Sequence, residues 1–491
     1  DPQNVNQTII RGISSNLRSG EVTAINQEDL RKRFERDHNS DFIFPTFSKY
    51  GVAFLDASSR LIVAQQTESH NPASNPPQNL LQALYVGGKR TEQRLAKIFK
   101  DIFGMDIKLD YSGLRNLVLR VAKEFVDIPT DPRDALGVFK EHQSLDDQGD
   151  GFKSFVGVVL SLILSEGRIV LLDEPEAFLH PIQARQLGEW IASDGIEVAD
   201  QVIVATHNAS FLSGILQAGQ KVDIYRLNRT DDRTEYNLIP AKATADLVKS
   251  PVLSSQRVLE AIFHKGVVVC EADADRAVYQ SVASRECDDQ EILFVHAHNK
   301  QTIKVVVDLL RQATIPVAAI ADIDLLHYEK DLTELLESLG ESASGSILQV
   351  REEIANHLGD EPDEEVLNRM SQMLLHLSEE IVRRKHDVSG ARGALNRIRK
   401  ESSKWQQFKA HGLVHLPEPL QSKAKSLLDE LKLHRLFLVP VGELEGWIDL
   451  GNTEKQKWIV GALEKIHKGD TPEPLKRFID NVLSGVDPHT A

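Results

Sequence analysis

Short apolar runs alternate with helix-like segments in two separate parts of this chain. The first alternation extends from Phe152 to Val204 and the second from Gly266 to about Leu325. Because each helix returns the chain to the start of the next strand, this alternation favours parallel sheets. We therefore predict two α/β domains with a boundary near Ser250 to Lys265. Ahead of them, the segment KYGVAFLDASSRLIVAQ predicts a β-hairpin.

The composition is that of a globular protein with more than one domain. The chain has 491 residues, of which 41% are hydrophobic and 26% charged. Its longest apolar run, Phe155 to Leu164, is about half of what a bilayer crossing needs, and no signal peptide opens the sequence. The two cysteines, Cys270 and Cys287, exclude a disulfide framework and favour a reducing compartment. We expect a cytoplasmic protein without a membrane partner.

Two apolar strands end in residues suited to nucleotide chemistry. The segment RIVLLDEPEAFLHP places Asp173 and Glu174 at the carboxyl end of one strand, and QVIVATHNASFL places His207 after a later, equally apolar strand. The intervening residues are enough for a helix and a crossover, so the two strand ends can be neighbours. At such an edge one carboxylate can hold Mg²⁺, another can polarise water, and an imidazole can sense a phosphate.

These segments resemble the ABC-type ATPase superfamily, in particular its branch of DNA-repair ATPases and overcoming-lysogenization-defect (OLD) nucleases. The resemblance implies that Asp173 is the Mg²⁺ residue of the Walker B strand, Glu174 the catalytic glutamate and His207 the switch histidine. It also directs attention to DDQGDGFKSF, where Gly151 and Ser154 would contact the γ-phosphate of ATP bound by another subunit. A capped, buried helix explains that segment equally well.

A complete phosphate-binding loop, Gly-x-x-x-x-Gly-Lys-Ser/Thr, does not occur in the sequence. The segment YVGGKRTEQR contains Lys89, but Arg90 stands where serine or threonine belongs, and no strand end precedes it. In the family's order the loop would precede Asp1. The sequence therefore leaves two readings, an ATP site completed from outside this chain or an inactive one.

A second set of strand ends carries carboxylates. The segment GVVVCEADADRAVYQSVA ends an apolar strand at Glu271 and opens a helix with Asp273 and Asp275, while PVAAIADIDLL ends a later strand at Asp322 and Asp324. Acidic side chains that converge at one sheet edge are costly unless they share cations. We therefore predict a Mg²⁺ or Mn²⁺ site that hydrolyses phosphodiesters. The alternative is helix capping by Asp273 and Asp275 and a loop at Asp322.

This second arrangement resembles the Toprim fold. The fold's glutamate and its Asp-x-Asp match Glu271, Asp322 and Asp324, and Asp275 matches an acidic residue of the nuclease-like members. The resemblance further implies that Lys300, in HAHNKQTIK, meets the scissile phosphate.

Two further glutamates and a helical insertion complete the second domain. The segment VPVGELEGWIDL resembles a late OLD-type strand, which makes Glu443 and Glu445 candidate ligands of a second metal ion. From Leu332 to about Lys432, apolar residues at three- and four-residue spacing predict helices inserted into the second sheet. The predicted domains are an ABC-type ATPase domain at 1–250, a Toprim-like domain at 262–330 and 433–491, and the insertion at 331–432.

An ABC-type head followed by a Toprim domain is the OLD architecture. The resemblance implies an ATPase-coupled, Mg²⁺-dependent DNA endonuclease that uses ATP, forms homo-oligomers through its ATPase domain, and serves in antiphage defence or DNA repair. An alternative is a non-catalytic ATPase sensor or scaffold whose Toprim domain binds a partner protein or an effector. A primase-like or topoisomerase-like activity ranks last, because none of the 7 tyrosines stands out as a nucleophile.

The net charge of −16, from 57 basic and 73 acidic residues, argues against a surface coated for nucleic acid. It does not exclude a nuclease that gathers carboxylates at its site and holds DNA on a local basic strip. One basic stretch has two readings, a solvated helix face or a DNA contact. Its members are Arg383, Arg384, Lys385, Arg392, Arg397, Arg399, Lys400 and Lys404.

Overall fold

A computed structural model of the chain divides into two compact units, residues 1–222 and 223–491. Within the described residues, no helix is both long and apolar enough to span a bilayer. The structure describes residues 7–13, 20–26, 32, 35, 52–71, 73, 77–165, 168–195, 201–230, 233–240, 243–244, 256–287, 291–359, 362–383, 387–400, 403–451 and 455–486.

The first unit combines a parallel sheet with antiparallel strands. Its strands are β1 (Gln7–Ile13), β2 (Gly20–Asn26), β3 (Val52–Leu55), β4 (Thr67–Glu68), β5 (Asp106–Asp110), β6 (Asn116–Ala122), β7 (Gln143–Ser144), β8 (Ile169–Asp173) and β9 (Gln201–Ala205). Its helices are α1 (Ala57–Ile62), α2 (Leu80–Phe103), α3 (Pro132–Lys140), α4 (Asp150–Ile163), α5 (Pro181–Trp190) and α6 (Ala209–Gln217). The parallel sheet has the order β3-β8-β9. The antiparallel pairs are β1 with β2, and β6 with β4, β5 and β7.

The hairpin predicted around residues 49–65 is wrong, because a helix follows β3. The Asp56 carboxylate accepts a hydrogen bond from the Ser59 amide at 2.7 Å, and the Asp56 amide donates to Ser59 Oγ at 3.1 Å. This reciprocal capping box starts α1 where the sequence suggested a turn. β3 instead pairs in parallel with β8 and belongs to the α/β sheet.

The alternation predicted between 152 and 204 is confirmed, since α4, β8, α5 and β9 follow one another and β8 pairs in parallel with β9. The core lies around α4, whose residues from Ser154 to Ile163 are all buried. β9 is apolar in sequence like β8, but it is not buried. In the described sheet β9 is an edge strand, and its Ile203 side chain is 51% exposed.

The second unit is built on a four-stranded parallel sheet in the order β13-β12-β14-β15, beside a separate hairpin of β10 and β11. Its strands are β10 (Tyr225–Thr230), β11 (Arg233–Leu238), β12 (Gly266–Cys270), β13 (Ile292–His296), β14 (Val317–Ala321) and β15 (Leu436–Leu438). The helices around the first three sheet strands are α7 (Gln256–Glu260), α8 (Asp273–Glu286) and α9 (Lys300–Gln312). The predicted α/β class with parallel sheets is thereby confirmed.

A long helical segment separates β14 from β15, although the two strands pair in parallel with Ile320 opposite Phe437. Both β12 and β14 are buried along their whole length, as strands covered on both faces must be. The inserted helices are α10 (Glu329–Ser338), α11 (Gly345–Leu358), α12 (Asp363–Val382), α13 (Val388–Lys400), α14 (Lys404–His411) and α15 (Glu418–Leu433), and the chain ends in α16 (Lys455–His467) and α17 (Glu473–Val486).

Candidate functional site

The carboxyl ends of β8 and β9 bring the candidate ATPase residues together. Asp173 is the last residue of β8, and the Glu174 amide donates to the Ala205 carbonyl at the end of β9 at 2.8 Å. His207 Nδ1 then lies 2.8 Å from Glu174 Oε1. Glu174 has a positive φ of 47°, which is uncommon for a residue with a side chain and often marks a functional position.

A buried arginine, Arg60, holds this edge, although no sequence pattern indicated it. Arg60 is fully buried, its Nε donates to Ser154 Oγ at 3.1 Å, and its guanidinium also donates to the backbone carbonyls of Asp173 and Glu174, the latter at 2.9 Å. Burial lowers the pKa of Arg60, while the nearby carboxylates of Glu176 and Asp173 raise it. Arg60 thus fixes the strand end that carries the candidate catalytic carboxylates.

Gly151 and Ser154 lie inside α4 and not ahead of it. Ser154 is fully buried, and its hydroxyl accepts the hydrogen bond of Arg60. A Cβ on Gly151 would come within 2.7 Å of the Phe178 carbonyl oxygen, so close packing requires glycine there. Packing accounts for both residues, and their contact with a phosphate stays a prediction.

Glu176 is a second residue that the sequence reasoning passed over. It is 4% exposed, and its Oε1 accepts a hydrogen bond from Thr206 Oγ1. Its Oε2 is buried without a hydrogen-bond partner among the described residues. Burial raises the pKa of Glu176, opposed by the Thr206 hydrogen bond. The edge therefore carries a buried carboxyl group beside the exposed pair of Glu174 and His207.

The second sheet gathers the predicted carboxylates at its carboxyl edge. Glu271 follows β12 directly, Asp322 follows β14, and Asp324 lies in the 3₁₀ turn Ile323–His327. Asp275 is in the first turn of α8, where its Oδ2 accepts a hydrogen bond from the Ala272 amide at 2.9 Å. The capping alternative thus holds for Asp275, which is nevertheless close enough to Asp322 for each charge to disfavour the other.

A lysine from the helical insertion lies between two of these carboxylates. Lys409, on α14, has its Nζ 3.1 Å from Asp322 Oδ2 and 2.9 Å from Asp324 Oδ2. The predicted phosphate ligand Lys300 is farther away, with its Nζ 4.0 Å from Asp324 Oδ2 and 3.7 Å from Asp331 Oδ2. The sequence reasoning missed Lys409 because a lysine in a charged helix carries no signal of a contact 85 residues away.

The cluster holds more negative charge than its lysines offset. Burial raises the pKa of Asp275 to about 6 and that of Asp322 to about 7, and it also raises the pKa of Glu271. For Asp322, burial and the neighbouring carboxylates outweigh the opposing effect of Lys409. Burial alone would lower the pKa of Lys409, but the charges of Asp322 and Asp324 outweigh it and raise that pKa. A further cation would relieve this excess.

Two orphaned oxygen atoms show that the donor set suits a metal ion. Glu271 Oε2 and Asp324 Oδ1 are buried and have no hydrogen-bond partner among the described residues. Carboxylate oxygens are the ligands that Mg²⁺ and Mn²⁺ prefer. In their present positions, no three His, Cys, Asp or Glu side chains of the described residues stand close enough to coordinate an ion. In this arrangement the Lys409 ammonium lies between Asp322 and Asp324.

The candidate second-metal residues follow β15. Glu445 lies in the 3₁₀ turn Leu444–Trp447, and its charge contributes to the raised pKa of Asp275. Its Oε1 lies 4.0 Å from Lys455 Nζ, and Lys455 acts on the Asp275 pKa in the opposite direction. Glu443 comes directly before the turn. Glu445 is therefore on the Asp275 side of the cluster.

A group of basic side chains lies around Asp273, next to the cluster. Arg276 Nε donates to Asp273 Oδ1 at 2.7 Å, and His296 Nδ1 is 3.4 Å from the same oxygen. The rings of His296 and His298 meet edge to face at 4.6 Å. Arg257 is near enough to lower the pKa of both Asp273 and His296. Two basic side chains therefore contact this carboxylate and two more lie near them, a feature visible in sequence only as HAH after a strand.

The predicted basic stretch is only partly described. Arg383 lies 67% exposed at the end of α12, with its guanidinium 3.8 Å from Glu379 Oε2. Arg384 and Lys385 are outside the described residues, as are the side chains of Arg397, Arg399 and Lys400. Its two readings therefore stay predictions.

Family comparison identifies two domains in this order. Residues 79–213 match the AAA domain family described as putative AbiEii toxin, Type IV TA system. Residues 262–324 match the TOPRIM domain of overcoming lysogenization defect protein-like sequences. An ATPase domain followed by this TOPRIM domain fits the OLD family. The OLD-type resemblance is confirmed at the level of the domains, and the OLD-like match contains Glu271, Asp275, Lys300, Asp322 and Asp324.

Solved structures of SMC ATPases also match parts of this chain. One, from a study of ATP-driven dimerization and DNA-stimulated activation of SMC ATPases, is 13% identical, covers 31% of this chain and 88% of that chain, and has a TM-score of 0.22. Another, an SMC head bound to the C-terminal winged-helix domain of ScpA, is 12% identical, covers 46% of this chain and 64% of that chain, and has a TM-score of 0.28. No curated protein sequence matches.

Proposed function

We propose that this chain is an ATPase-coupled, Mg²⁺- or Mn²⁺-dependent DNA endonuclease of OLD type, acting in antiphage defence or DNA repair. The observation that carries the proposal is the partly buried cluster of Glu271, Asp322 and Asp324 at the carboxyl edge of the TOPRIM sheet, with two buried carboxylate oxygens left unpaired. Buried carboxylates that lack partners are costly in a structural role and are suited to binding cations.

The carboxylates divide into two groups by position. Bound divalent ions would supply a polarised water and stabilise the leaving oxygen of the phosphodiester. The Ala272 amide donates a hydrogen bond to Asp275 Oδ2, and this bond orients the Asp275 carboxylate at the start of α8. The first ion would be held by Glu271, Asp322 and Asp324, and a second by Asp275, Glu443 and Glu445.

Two lysines bring positive charge to the same edge. Lys409 offsets the charge of Asp322 and Asp324 when no ion is bound, which keeps the buried cluster compatible with the folded state. Lys300 Nζ lies over the Tyr328 ring at 5.8 Å from its centroid and near Asp324, a position suited to a phosphate oxygen of the substrate.

The basic group around Asp273 extends this edge toward β13, the neighbour of β12. Arg257, Arg276, His296 and His298 would contact substrate phosphates that lie beside the cleaved bond. A chain with a net charge of −16 needs such a local basic site to hold DNA near a carboxylate cluster.

The ATPase domain contributes the water-activating side of an ATP site. The contact of His207 with Glu174, next to Asp173 at the end of β8, supports a role for these three side chains in nucleotide hydrolysis. The Gly-x-x-x-x-Gly-Lys-Ser/Thr loop does not occur among these 491 residues, so ATP use depends on a phosphate-binding loop that they do not contain. Homo-oligomerisation through this domain belongs to the same proposal.

Plasmid cleavage in Mg²⁺ or Mn²⁺ tests the nuclease. Glu271→Gln keeps the side-chain volume but removes the charge, and we expect cleavage to fall by about 100-fold or more. Glu352→Gln, at an exposed position of α11, is the matched control and should cleave like the wild type. Equal cleavage by wild type and Glu271→Gln would reject the assignment.

A non-catalytic sensor or scaffold is the second candidate, favoured by one observation. The ammonium of Lys409 between Asp322 and Asp324 gives the cluster a cation without any metal. Calorimetric titration with Mn²⁺ distinguishes the two functions. A scaffold should bind no Mn²⁺, cleave no DNA and form a stoichiometric complex with a partner protein.

A further inference from the structure

The insertion helix α12 has a broad apolar surface, and only part of it is covered by described residues. Along one edge of this surface α12 packs against α13 and buries Leu377. Next to Leu377, five large exposed apolar side chains form a row, which we call the α12 stripe. Its members and their exposed fractions are Leu367 (64%), Leu374 (42%), Leu375 (65%), Ile381 (44%) and Val382 (79%).

The α12 stripe is continuous and not a scatter of single exposed residues. At 3.6 residues per turn its five members, with Ser371 and Ser378 among them, fall within an arc of roughly 120° along about 22 Å of helix. Val388 (71% exposed) and Leu395 (48% exposed) add apolar surface on the adjacent α13. Contiguous exposed apolar surface of this kind marks an interaction site.

We propose that a second copy of this chain covers the α12 stripe, with the two α12 helices packed antiparallel about a two-fold axis. The stripe is complementary to itself in that orientation. A two-fold axis between residues 374 and 375 sets Leu374 against Leu375, Leu367 against Val382, and Ser371 against Ser378. Four of the five stripe side chains then meet apolar ones and Ile381 faces Asn368, which gives the self-complementary contact that an isologous interface requires.

Charge supports the antiparallel orientation. The first turn of α12 carries Asp363, Glu364 and Glu365, all exposed, and Arg383 follows its last residue, with two further basic residues next in the sequence. In the antiparallel pair the acidic start of one helix faces the basic end of the other, whereas a parallel pair sets like charges together. The helix dipoles favour the same orientation.

The same charges make other occupants less suitable. The acidic first turn and the neighbouring Glu379 and Glu380 would repel nucleic acid or an anionic membrane surface along the stripe. A second copy supplies both the apolar row and the matching basic end from one sequence. The pairing is independent of the proposed nuclease activity because it concerns assembly alone.

The mass of the full chain in solution tests the pairing. In analytical ultracentrifugation at micromolar concentration, we expect the assembly of Leu375→Glu to contain half as many chains as that of the wild type. The dissociation constant of the stripe contact should rise about 100-fold. Leu375 is largely exposed in the single chain, so the substitution leaves the fold intact. Gln372→Glu adds the same charge at an exposed position outside the stripe, roughly 120° around the helix from its middle, and should keep the wild-type mass. Identical masses for all three proteins overturn the proposal.

Cysteine cross-linking tests the orientation. In a Cys287→Ser background, Ser371→Cys and Ser378→Cys together should give a disulfide dimer under mild oxidation, because each cysteine faces the other position of the partner. Within one helix the two positions are about 10 Å apart, too far for an internal disulfide. Efficient dimerisation of Ser371→Cys alone indicates a parallel pair and overturns the antiparallel proposal, as does the absence of cross-linking in the double variant.

Discussion

Replacing Lys409 by methionine removes the internal cation of the carboxylate cluster while keeping most of the side-chain volume. The ammonium has two carboxylate partners, Asp322 at 3.1 Å and Asp324 at 2.9 Å. Breaking a buried ion pair from one side costs about 3 to 5 kcal/mol, because the remaining charge stays buried and unpaired. The Lys409 side chain is 25% exposed, so solvent screens part of the interaction. We expect Lys409→Met to lower the free energy of unfolding by about 2 to 3 kcal/mol in EDTA at pH 8.

The loss of unfolding free energy caused by Lys409→Met should be smaller at lower pH, because the Asp322 carboxyl group becomes protonated there. Its pKa in the folded, metal-free protein is raised to about 7 from 3.8, so the folded state holds a proton that the unfolded state releases. Such a group destabilises the fold progressively as the pH rises from about 4 to about 7. At pH 5.5 Asp322 is mostly neutral in wild type and variant alike, and only the Asp324 pair is lost. The difference between the two proteins should therefore be less than half of its value at pH 8.

Urea denaturation followed by tryptophan fluorescence measures these differences, in EDTA and in millimolar Mg²⁺. A divalent ion held by the same carboxylates replaces the missing ammonium, so Mg²⁺ should restore more stability to Lys409→Met than it adds to the wild type. Lys423→Met, which removes an exposed lysine paired with Glu353 at 2.6 Å, controls for loss of a surface ion pair and should cost under about 1 kcal/mol. An equal loss in EDTA and Mg²⁺, or no loss at pH 8, would refute the reasoning.

Two further predictions concern positions away from the cluster. Gly157→Ala should destabilise the first unit by about 1 to 3 kcal/mol in the same urea assay, because the new Cβ would meet the Arg60 carbonyl oxygen at 2.5 Å. Gly137→Ala is the control and should be neutral or stabilising, because a Cβ there has no atom within 4 Å. Equal effects of the two substitutions would contradict the packing argument. Cys287 should react with iodoacetamide at pH 8 on the order of 1,000-fold more slowly than a free thiol, because burial and the hydrogen bond and charge of Asp480 raise its pKa to about 12. Mass spectrometry should show that the labelling rate rises with pH up to at least pH 10, and that Asp480→Asn is labelled faster than the wild type. A labelling rate that reaches a plateau below pH 10 would disprove the prediction.

Strands were predictable from sequence where burial alone defines them. β8, β12 and β14 are apolar runs that end in acidic residues, and each lies where the pattern indicated. β3 was misjudged because four apolar residues followed by Asp-Ala-Ser-Ser fit a hairpin turn as well as a capped helix, and only the Asp56–Ser59 hydrogen bonds decide between them. Local patterns of this kind do not contain the tertiary context that selects one outcome.

The candidate site was predictable in its carboxylates but not in its cations. Glu271, Asp322 and Asp324 carry a signal because acidic residues at strand ends are unusual. Arg60 and Lys409 carry none, since each resembles a surface residue of a short or charged helix until the fold buries it. The partners of these contacts are far apart in the sequence, with a separation of 94 residues for Arg60 and Ser154 and of 85 for Lys409 and Asp324. Such contacts depend on the whole topology.

The position of Lys409 is fixed by the way the insertion returns to the sheet. Gly442, after β15, has a φ of +102°, and a Cβ there would lie 2.1 Å from the Lys409 carbonyl oxygen. Gly412, at the end of α14, has a φ of +63°, and a Cβ there would lie 2.2 Å from the Pro440 carbonyl oxygen. Two glycines thus let the backbones of α14 and the β15 edge approach closely. The Gly442 carbonyl also accepts a hydrogen bond from the Ile323 amide at 3.2 Å, between the two aspartates. Because the same backbone contacts hold Lys409 and the Asp322–Asp324 turn, the insertion supplies a fixed cation of the site, and any ion bound there must compete with it.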